Sequence, residues 1–266
     1  MNGIAIIGAG AMGTAFAKGM VSAGLFDPAQ IVMADADASK LSEVAEAQGV
    51  KTSADNAAAV ENADVILLAV KPQIIKDVLT DIGGGVQSGQ LVISIAAGVK
   101  LRSIESCLPE KTAVIRAMPN TPCQIGRGAV GFCRGSAAAD DDCAKAKAIF
   151  DAVGVSFEVP EKLMDAVTGL SGSGPAYVYV MIEAMADAGV RVGLPRDAAL
   201  SLASQTVAGA AEMVLESGQH PAALKDQVTS PGGTTIAGLD ALERAGFRSA
   251  LIDAVKAAAK RSEELG

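Results

Sequence analysis

The sequence predicts an α/β domain with a doubly wound, mostly parallel sheet, followed by an all-α domain. Three observations lead to this prediction. The first 160 of the 266 residues alternate short β-branched apolar runs with segments of helical composition, a glycine-rich motif follows the first run, and no strand pattern recurs after Pro160. We therefore expect one domain at residues 1–160 and a second at 161–266.

The elements of the first domain can be assigned in chain order. Strands are predicted at residues 4–8, 31–35, 65–70, 91–95, 114–118 and 129–133, because each run is brief, apolar and bounded by Gly, Pro, Asp or Asn. Helices are predicted between them at 12–23, 39–48, 73–79, 101–107 and 138–153. In the second domain we expect a long helix from Pro175, another with Pro195 in its first turn that ends near 216, and later helices near 221–228, 234–245 and 247–264.

Composition and charge exclude several classes of protein. Half of the residues are hydrophobic, and 22 Lys+Arg stand against 30 Asp+Glu for a formal net charge of −8. This acidic balance disfavours a nucleic-acid partner, and an aromatic content of 3% leaves few stacking platforms for bases. The longest fully apolar stretches, such as 65–70, are far shorter than the roughly 20 residues needed to cross a bilayer. We expect no membrane partner and a cytoplasmic protein.

The cysteines and the single histidine give no sign of a metal site or of acid–base chemistry. Cys107, Cys123, Cys133 and Cys143 form no CxxC pair and have no histidine near them, so reduced thiols and no bound metal are expected. His220 precedes Pro221 in a polar stretch where a helix could begin. It is interpreted as a surface or capping residue.

The motif Gly8-Ala9-Gly10-Ala11-Met12-Gly13 satisfies GxGxxG between the first predicted strand and the first predicted helix. In this position the three glycines would permit the tight turn, the close approach of a pyrophosphate and the close packing of helix on strand. The helix N-terminus would supply amide donors and the positive end of its dipole. The motif predicts a Rossmann-type dinucleotide site; a chance glycine turn is the alternative.

Further candidate residues follow other predicted strands, at the edge where doubly wound sheets bind ligands. Asp35 ends the second strand, where it would accept from the ribose hydroxyls of NADH, although a helix-capping role shared with Asp37 is an alternative and Lys40 could still accommodate NADPH. Lys71 lies in the run Ala69-Val70-Lys71-Pro72 and is either a ligand contact or a solvated loop charge. Asn120 offers an amide suited to the nicotinamide carboxamide.

Two motifs in the second domain combine glycine turns, hydroxyls and a helix N-terminus. They are SGSGPAY at 171–177 and SPGGTT at 230–235. Such segments make compact anion sites without arginine, and ordinary helix capping is the alternative. Beside a dinucleotide domain they indicate a small carboxylate substrate.

Taken together, the motifs resemble those of the pyrroline-5-carboxylate reductase family nearly from end to end. The resemblance rests on GAGAMG, AVKP at 69–72, MPNTP at 118–122, DAVTGLSGSGPAY at 165–177, GLP at 193–195 and VTSPGGTT at 228–235. It implies a Rossmann domain, a helical dimerisation domain, assembly into dimers and further into decamers, and reduction of the cyclic imine carboxylate Δ1-pyrroline-5-carboxylate to L-proline by NADPH or NADH.

The resemblance also implies roles for individual residues. Those near the cofactor would be Gly8, Gly10, Ala11, Met12, Gly13, Asn56, Ala69, Val70, Lys71, Pro72, Ala97 and Asn120. Those near the substrate would be Ser230, Gly232, Gly233, Thr234 and Thr235, with the Thr235 hydroxyl at the ring nitrogen. Asp35 departs from the Ser or basic group expected in relatives that use NADPH.

Two other functions remain as alternatives. β-Hydroxyacid dehydrogenases resemble this architecture, but they use a lysine on the long helix of the second domain, and this sequence has no lysine between Lys162 and Lys225. A regulatory protein that senses NAD(P)H without turnover would retain the glycine motif but would not require the two anion motifs.

Overall fold

The computed structural model describes all residues from Met1 to Gly266. Contacts between residues divide the chain into two compact units. The first comprises Met1–Ser173 together with Ala257–Gly266, and the second comprises Gly174–Lys256. The domain boundary predicted at residue 160 stays a prediction.

The first unit contains one eight-stranded sheet. Its strands are β1 (Ile4–Ile7), β2 (Ile31–Ala34), β3 (Lys51–Ser53), β4 (Val65–Leu68), β5 (Leu91–Ser94), β6 (Ala113–Met118), β7 (Gly128–Arg134) and β8 (Gly154–Glu158), in the spatial order β3-β2-β1-β4-β5-β6-β7-β8. Every neighbouring pair is parallel except β6 and β7. The chain runs outwards in both directions from β1 and β4, which therefore flank the topological switch point. The predicted α/β class is confirmed.

Helices cover both faces of this sheet. They are α1 (Ala11–Ser22), α2 (Ala38–Gln48), α3 (Asn56–Val60), α4 (Ile75–Gly83), α5 (Leu101–Glu105), α6 (Asp140–Asp151) and α7 (Met164–Val167), and a π-helical turn at Thr168–Gly172 follows. Alternate residues of β1 belong to two different hydrophobic clusters, one on each face of the sheet. Ile4 and Ile6 lie in the cluster that contains Phe16 of α1, and Ala5 and Ile7 lie in the cluster that contains Val78 of α4. This two-sided burial explains why the central strands are apolar without interruption.

All six predicted strands are present, and β3 and β8 were not predicted. Strand β3 is polar and only three residues long, so it carries no apolar run. In β8 the usual pattern is reversed, because Ser156 is buried while Val155 and Phe157 are exposed. Both are edge strands, held in the sheet by backbone hydrogen bonds to the neighbouring strand. The hydrophobic pattern of the sequence gives no information about such backbone pairing.

The second unit is wholly helical, as predicted. It contains α8 (Gly174–Arg191), α9 (Arg196–Ser217), α10 (Pro221–Gln227), α11 (Thr234–Arg244) and the first part of α12 (Phe247–Leu265). Pro195 lies at the N-cap of α9, one residue before the first-turn position predicted for it. The buried apolar residues of this unit are three alanines, Ala186, Ala199 and Ala203.

Helix α9 is long and apolar enough to cross a membrane by length and composition alone. A core helix of a protein without membrane spans passes the same test, so a single such helix is weak evidence. Within this chain only 11% of its most apolar window is buried. Most of the apolar surface of α9 is therefore uncovered in the single chain.

Candidate functional site

The loop after β1 depends on glycines at two positions. Gly8 has φ of +112°, and a Cβ there would lie 2.5 Å from the carbonyl oxygen of Ala69 at the end of β4. A Cβ on Gly13 would lie 2.0 Å from the carbonyl oxygen of Gly8. Neither contact is sterically possible. The missing side chains therefore let α1 start directly over the end of β1.

The space in front of α1 fits a phosphate group. Helix α1 begins at Ala11, and its N-cap, Gly10, provides no side-chain hydrogen bond. The first-turn amides of Ala11, Met12 and Gly13 have no intrahelical acceptors, and they add to the positive end of the helix dipole. A Cβ on Gly10 would meet nothing within 4 Å. The loop thus presents donors and open space where a pyrophosphate binds in this fold.

Asp35 links the end of β2 to the glycine loop. Its Oδ2 accepts a hydrogen bond of 2.9 Å from the Ala9 amide, and its Oδ1 accepts one of 2.9 Å from the Asp37 amide. The cap of α2 is Asp37, which accepts from the amides of Ser39 and Lys40. Hydrogen bonds from Ser39 and then Lys40 lower the pKa of Asp37. Asp37 is therefore the cap of α2, and Asp35 is bonded to the glycine loop.

The end of β4 lies on the other side of the glycine loop. The Ala69 amide donates to the Ile7 carbonyl at 2.8 Å, and a Cβ on Gly8 would also come within 3.2 Å of the Val70 side chain. Lys71 is exposed, makes no ion pair within the chain and precedes a 3₁₀ turn that begins at Pro72. Its ammonium group is available to an anion at this edge.

Parallel pairing brings most of the predicted cofactor residues to one edge of the sheet. The segments after β1, β2, β4, β5 and β6 carry Gly8–Gly13, Asp35, Ala69–Pro72, Ala97 and Asn120, and the segment after β3 carries Asn56. Ala97 is exposed. Asn56 donates from Nδ2 to Asp81 at 2.9 Å. This is the edge at which doubly wound sheets bind their ligands.

The side chain of Asn120 is engaged with backbone groups of its own chain. Its Nδ2 donates to the Ser171 carbonyl at 3.0 Å, and its Oδ1 accepts from the Ala129 amide at 3.0 Å. Sequence reasoning predicted a ligand role for this amide and missed both partners. The sequence contains one signal for the bond to Ser171. Pro175, four residues later, has no N–H that could donate to the Ser171 carbonyl.

The predicted substrate residues lie in the helical unit, at the start of α11. Gly232 adopts φ of +65°, Gly233 is the N-cap, and no side chain caps the helix. A Cβ on Gly233 would lie 2.3 Å from the Ser230 Oγ, so the hydroxyl lies directly over the glycine. The hydroxyls of Thr234 and Thr235 make no hydrogen bond in the structure. The segment has the donors that a small carboxylate requires.

The thiols and the histidine contribute no acid, base or nucleophile to either group of residues. All four cysteines are free thiols. Burial raises the pKa of Cys123, and it raises the pKa of Cys133 to about 12, with a further contribution from Glu161. His220 caps α10, accepting from the Ala222 amide at Nδ1 (3.2 Å), as the sequence indicated.

A glycine loop with free helix amides at the switch point of the sheet, followed by a helical unit, is the arrangement of a two-domain dinucleotide-binding protein. Residues 3–98 match the family described as NADP oxidoreductase coenzyme F420-dependent, and residues 161–265 match pyrroline-5-carboxylate reductase dimerisation. The chain is 50% identical to a pyrroline-5-carboxylate reductase of Synechocystis sp. over 263 residues, which cover 99% of this chain and 98% of the relative. It belongs to the pyrroline-5-carboxylate reductase family.

Solved structures of the family agree with this fold. A pyrroline-5-carboxylate reductase from Coxiella burnetii matches with a TM-score of 0.95 and 38% identity, covering 100% of this chain and 98% of that one. The Plasmodium falciparum pyrroline carboxylate reductase with NADP bound matches with a TM-score of 0.87 and 34% identity, covering 99% and 98%. The resemblance identified from the sequence is confirmed.

Gly10 and Gly13, two of the three glycines of the loop, allow a matched test of the phosphate site. Gly10→Ala should keep the stability of the protein, because its Cβ meets no protein atom, but it should weaken NAD(P)H binding by about tenfold or more by filling the space for the pyrophosphate. Gly13→Ala should lower the melting temperature, because its Cβ collides with backbone. Fluorescence titration with NADH and thermal unfolding separate the two effects. Unchanged NADH affinity in Gly10→Ala would place the pyrophosphate elsewhere.

Proposed function

We propose that this chain reduces Δ1-pyrroline-5-carboxylate to L-proline with NAD(P)H, the last step of proline biosynthesis. The observation that carries the proposal is the uncapped N-terminus of α1 over the end of β1. It is supported by the match of this chain to pyrroline-5-carboxylate reductases along almost their whole length. The four free thiols fit a reducing compartment, and we propose the cytoplasm.

The cofactor is held mainly by backbone groups. The amides at the start of α1 bind the pyrophosphate, Gly10 leaves room for it, and Lys71 contributes a positive charge at the same edge. The Asp35 carboxylate fixes the glycine loop through Ala9 and faces the ribose. When bound, the reduced nicotinamide supplies the hydride.

The substrate is held by the SPGGTT segment. Ser230 and the amides of Gly233, Thr234 and Thr235, together with the turn at Gly232, bind the carboxylate, and the Thr235 hydroxyl meets the ring nitrogen. Support comes from the uncapped start of α11 and from the lack of any other hydrogen bond to the Thr235 hydroxyl. A helix N-terminus favours an anion by its amides and its dipole.

The reaction does not require a strong acid or base from the protein. A cyclic imine protonated at nitrogen is already electrophilic at its C=N carbon, so hydride addition to that carbon gives the ring amine of proline directly. The protein must then orient the two reactants and arrange charge around them. A site without histidine suits this chemistry.

The first prediction from the proposed function tests the reaction. Purified protein should oxidise NADH or NADPH when pyrroline-5-carboxylate is added and should form proline, measured by absorbance of the reduced cofactor and by amino-acid analysis. A 3-hydroxyacid with the oxidised cofactor is the control for the β-hydroxyacid dehydrogenase alternative and should give no turnover. Cofactor binding without turnover on either substrate would favour a regulatory role.

The second prediction concerns the choice of cofactor. Asp35→Asn should raise the ratio of kcat/KM for NADPH over NADH by about tenfold, because it removes a carboxylate that would repel the 2′-phosphate. Asp37→Asn removes the same charge two residues away and serves as the matched control, since Asp37 caps α2 and does not contact the loop. Equal ratios in the two variants would show that Asp35 holds the loop without contacting the ribose.

The third prediction isolates the Thr235 hydroxyl. Thr235→Ala should lower kcat/KM by about tenfold to a thousandfold, the range for losing one hydrogen bond to a charged or developing charge, and should leave NADH affinity unchanged. Thr235→Ser should recover much of the loss. Thr234→Ala is the matched control and should lose less, because only its amide is assigned a role. Full activity in Thr235→Ala would remove this hydroxyl from the mechanism.

The fourth prediction concerns assembly. The match to a dimerisation family over 161–265 supports a homo-oligomer, and the exposed apolar faces of α8 and α9 support burial against a second copy rather than against lipid. We propose that dimers assemble further into decamers. Sedimentation should give a dimer or a multiple of it up to ten chains of 26.7 kDa. An active monomer would contradict the dimer, and a dimer alone would contradict only the decamer.

A further inference from the structure

Asn120 joins three segments of the first unit at the ligand edge of the sheet. It follows β6 directly, and its side chain bonds to Ala129 of β7 and to Ser171 in the π-helical turn. The orientation of the amide is determined by these partners, since a flipped amide would place NH₂ against an N–H and oxygen against a carbonyl. Asn120 is half-buried.

The Ser171 carbonyl needs this donor because of the sequence that follows it. In an α-helix the carbonyl of residue 171 would accept from the amide of residue 175. That residue is Pro175, which has no N–H. Asn120 Nδ2 replaces the missing donor at 3.0 Å.

The π turn also makes hydrogen bonds with residues next to it in the chain. The Ser173 amide donates to the Thr168 carbonyl at 2.8 Å, five residues back. The hydroxyls of Thr168 and Ser171 donate to the carbonyls of Met164 and Val167. Single π turns of this kind occur frequently at functional sites. The Asn120 bond ties a carbonyl of this turn to the end of β6 by a side chain.

Close packing sets the turn directly on β6 and β7. A Cβ on Gly172 would lie 2.7 Å from the Met118 Cε at the end of β6. A Cβ on Gly131 of β7 would lie 2.5 Å from the Val167 side chain just before the turn. The turn therefore packs against the segment that carries Met118 and Asn120.

We infer that Asn120 is a positioning residue, which clamps the π turn Thr168–Gly172 to the ligand edge of the sheet and so fixes the geometry for hydride transfer. The inference rests on the proposed function and assigns Asn120 a task other than contact with the nicotinamide. Without the clamp the Ser171 carbonyl loses its donor and the turn loosens. A displacement of about 1 Å is enough to slow a reaction that depends on orientation by about a hundredfold.

The test compares Asn120→Ala and Asn120→Asp with Gln124→Ala. The aspartate variant keeps the acceptor for the Ala129 amide, loses the donor to Ser171 and places a carboxylate oxygen against that carbonyl. Gln124 is exposed in the 3₁₀ turn Thr121–Ile125 after Asn120 and serves as the matched control. Hydrogen exchange of peptides that span 168–174 reports the turn, fluorescence titration reports NADH affinity, and steady-state rates report kcat and KM.

We expect amide exchange at 168–174 to rise by about tenfold in both Asn120 variants and to stay unchanged in Gln124→Ala. In Asn120→Ala, kcat should fall by about tenfold to a hundredfold while NADH affinity changes by less than about threefold. Unchanged exchange would overturn the clamp. Loss of NADH affinity with kcat retained would instead show direct contact with the cofactor. If the wild-type protein lacks turnover, the proposed function fails, whereas the exchange measurement still decides whether the clamp exists.

Discussion

The close approach of Gly13 to the Gly8 carbonyl is the contact on which the ligand edge depends. A Cβ at Gly13 would lie 2.0 Å from that oxygen, so only glycine lets α1 begin immediately above β1. The start of α1 then lies between the ends of β2 and β4, where the chain reverses its order in the sheet. The Asp35 bond to Ala9 and the contact of Gly8 with Ala69 hold the loop from both sides.

Backbone amides explain how an acidic chain can bind anions. The formal charge of −8 disfavours phosphate and carboxylate at long range. At short range the uncapped starts of α1 and α11 present several N–H groups and a dipole end, with no arginine. Such donors add no net charge. They also impose a geometry, because they are fixed by the helix rather than carried on a flexible side chain.

The sequence predicted the fold well where burial is two-sided, and it predicted contacts poorly. Strands such as β1 and β4 are apolar throughout because both faces are covered, and both were identified. Strand β3 is polar and β8 turns Phe157 outwards, so neither has the usual pattern. Among the site residues, the glycine motif was enough to predict the tight turn between β1 and α1. Ser171, which accepts from Asn120, and Asp81, which accepts from Asn56, are distant in sequence, and apart from Pro175 no local pattern indicates these contacts.

The helical unit lacks a core of its own, and this is a physical reason for association. From Gly174 to Lys256 only three alanines are buried apolar residues, while Leu202, Met213 and Leu215 are each more than half exposed. Three alanine side chains bury little apolar surface, and long helices are marginal in water without packing against an apolar face. Association with a second copy, which the match to a dimerisation family supports, would cover this surface and stabilise the helices. The stability of this unit should then depend on protein concentration.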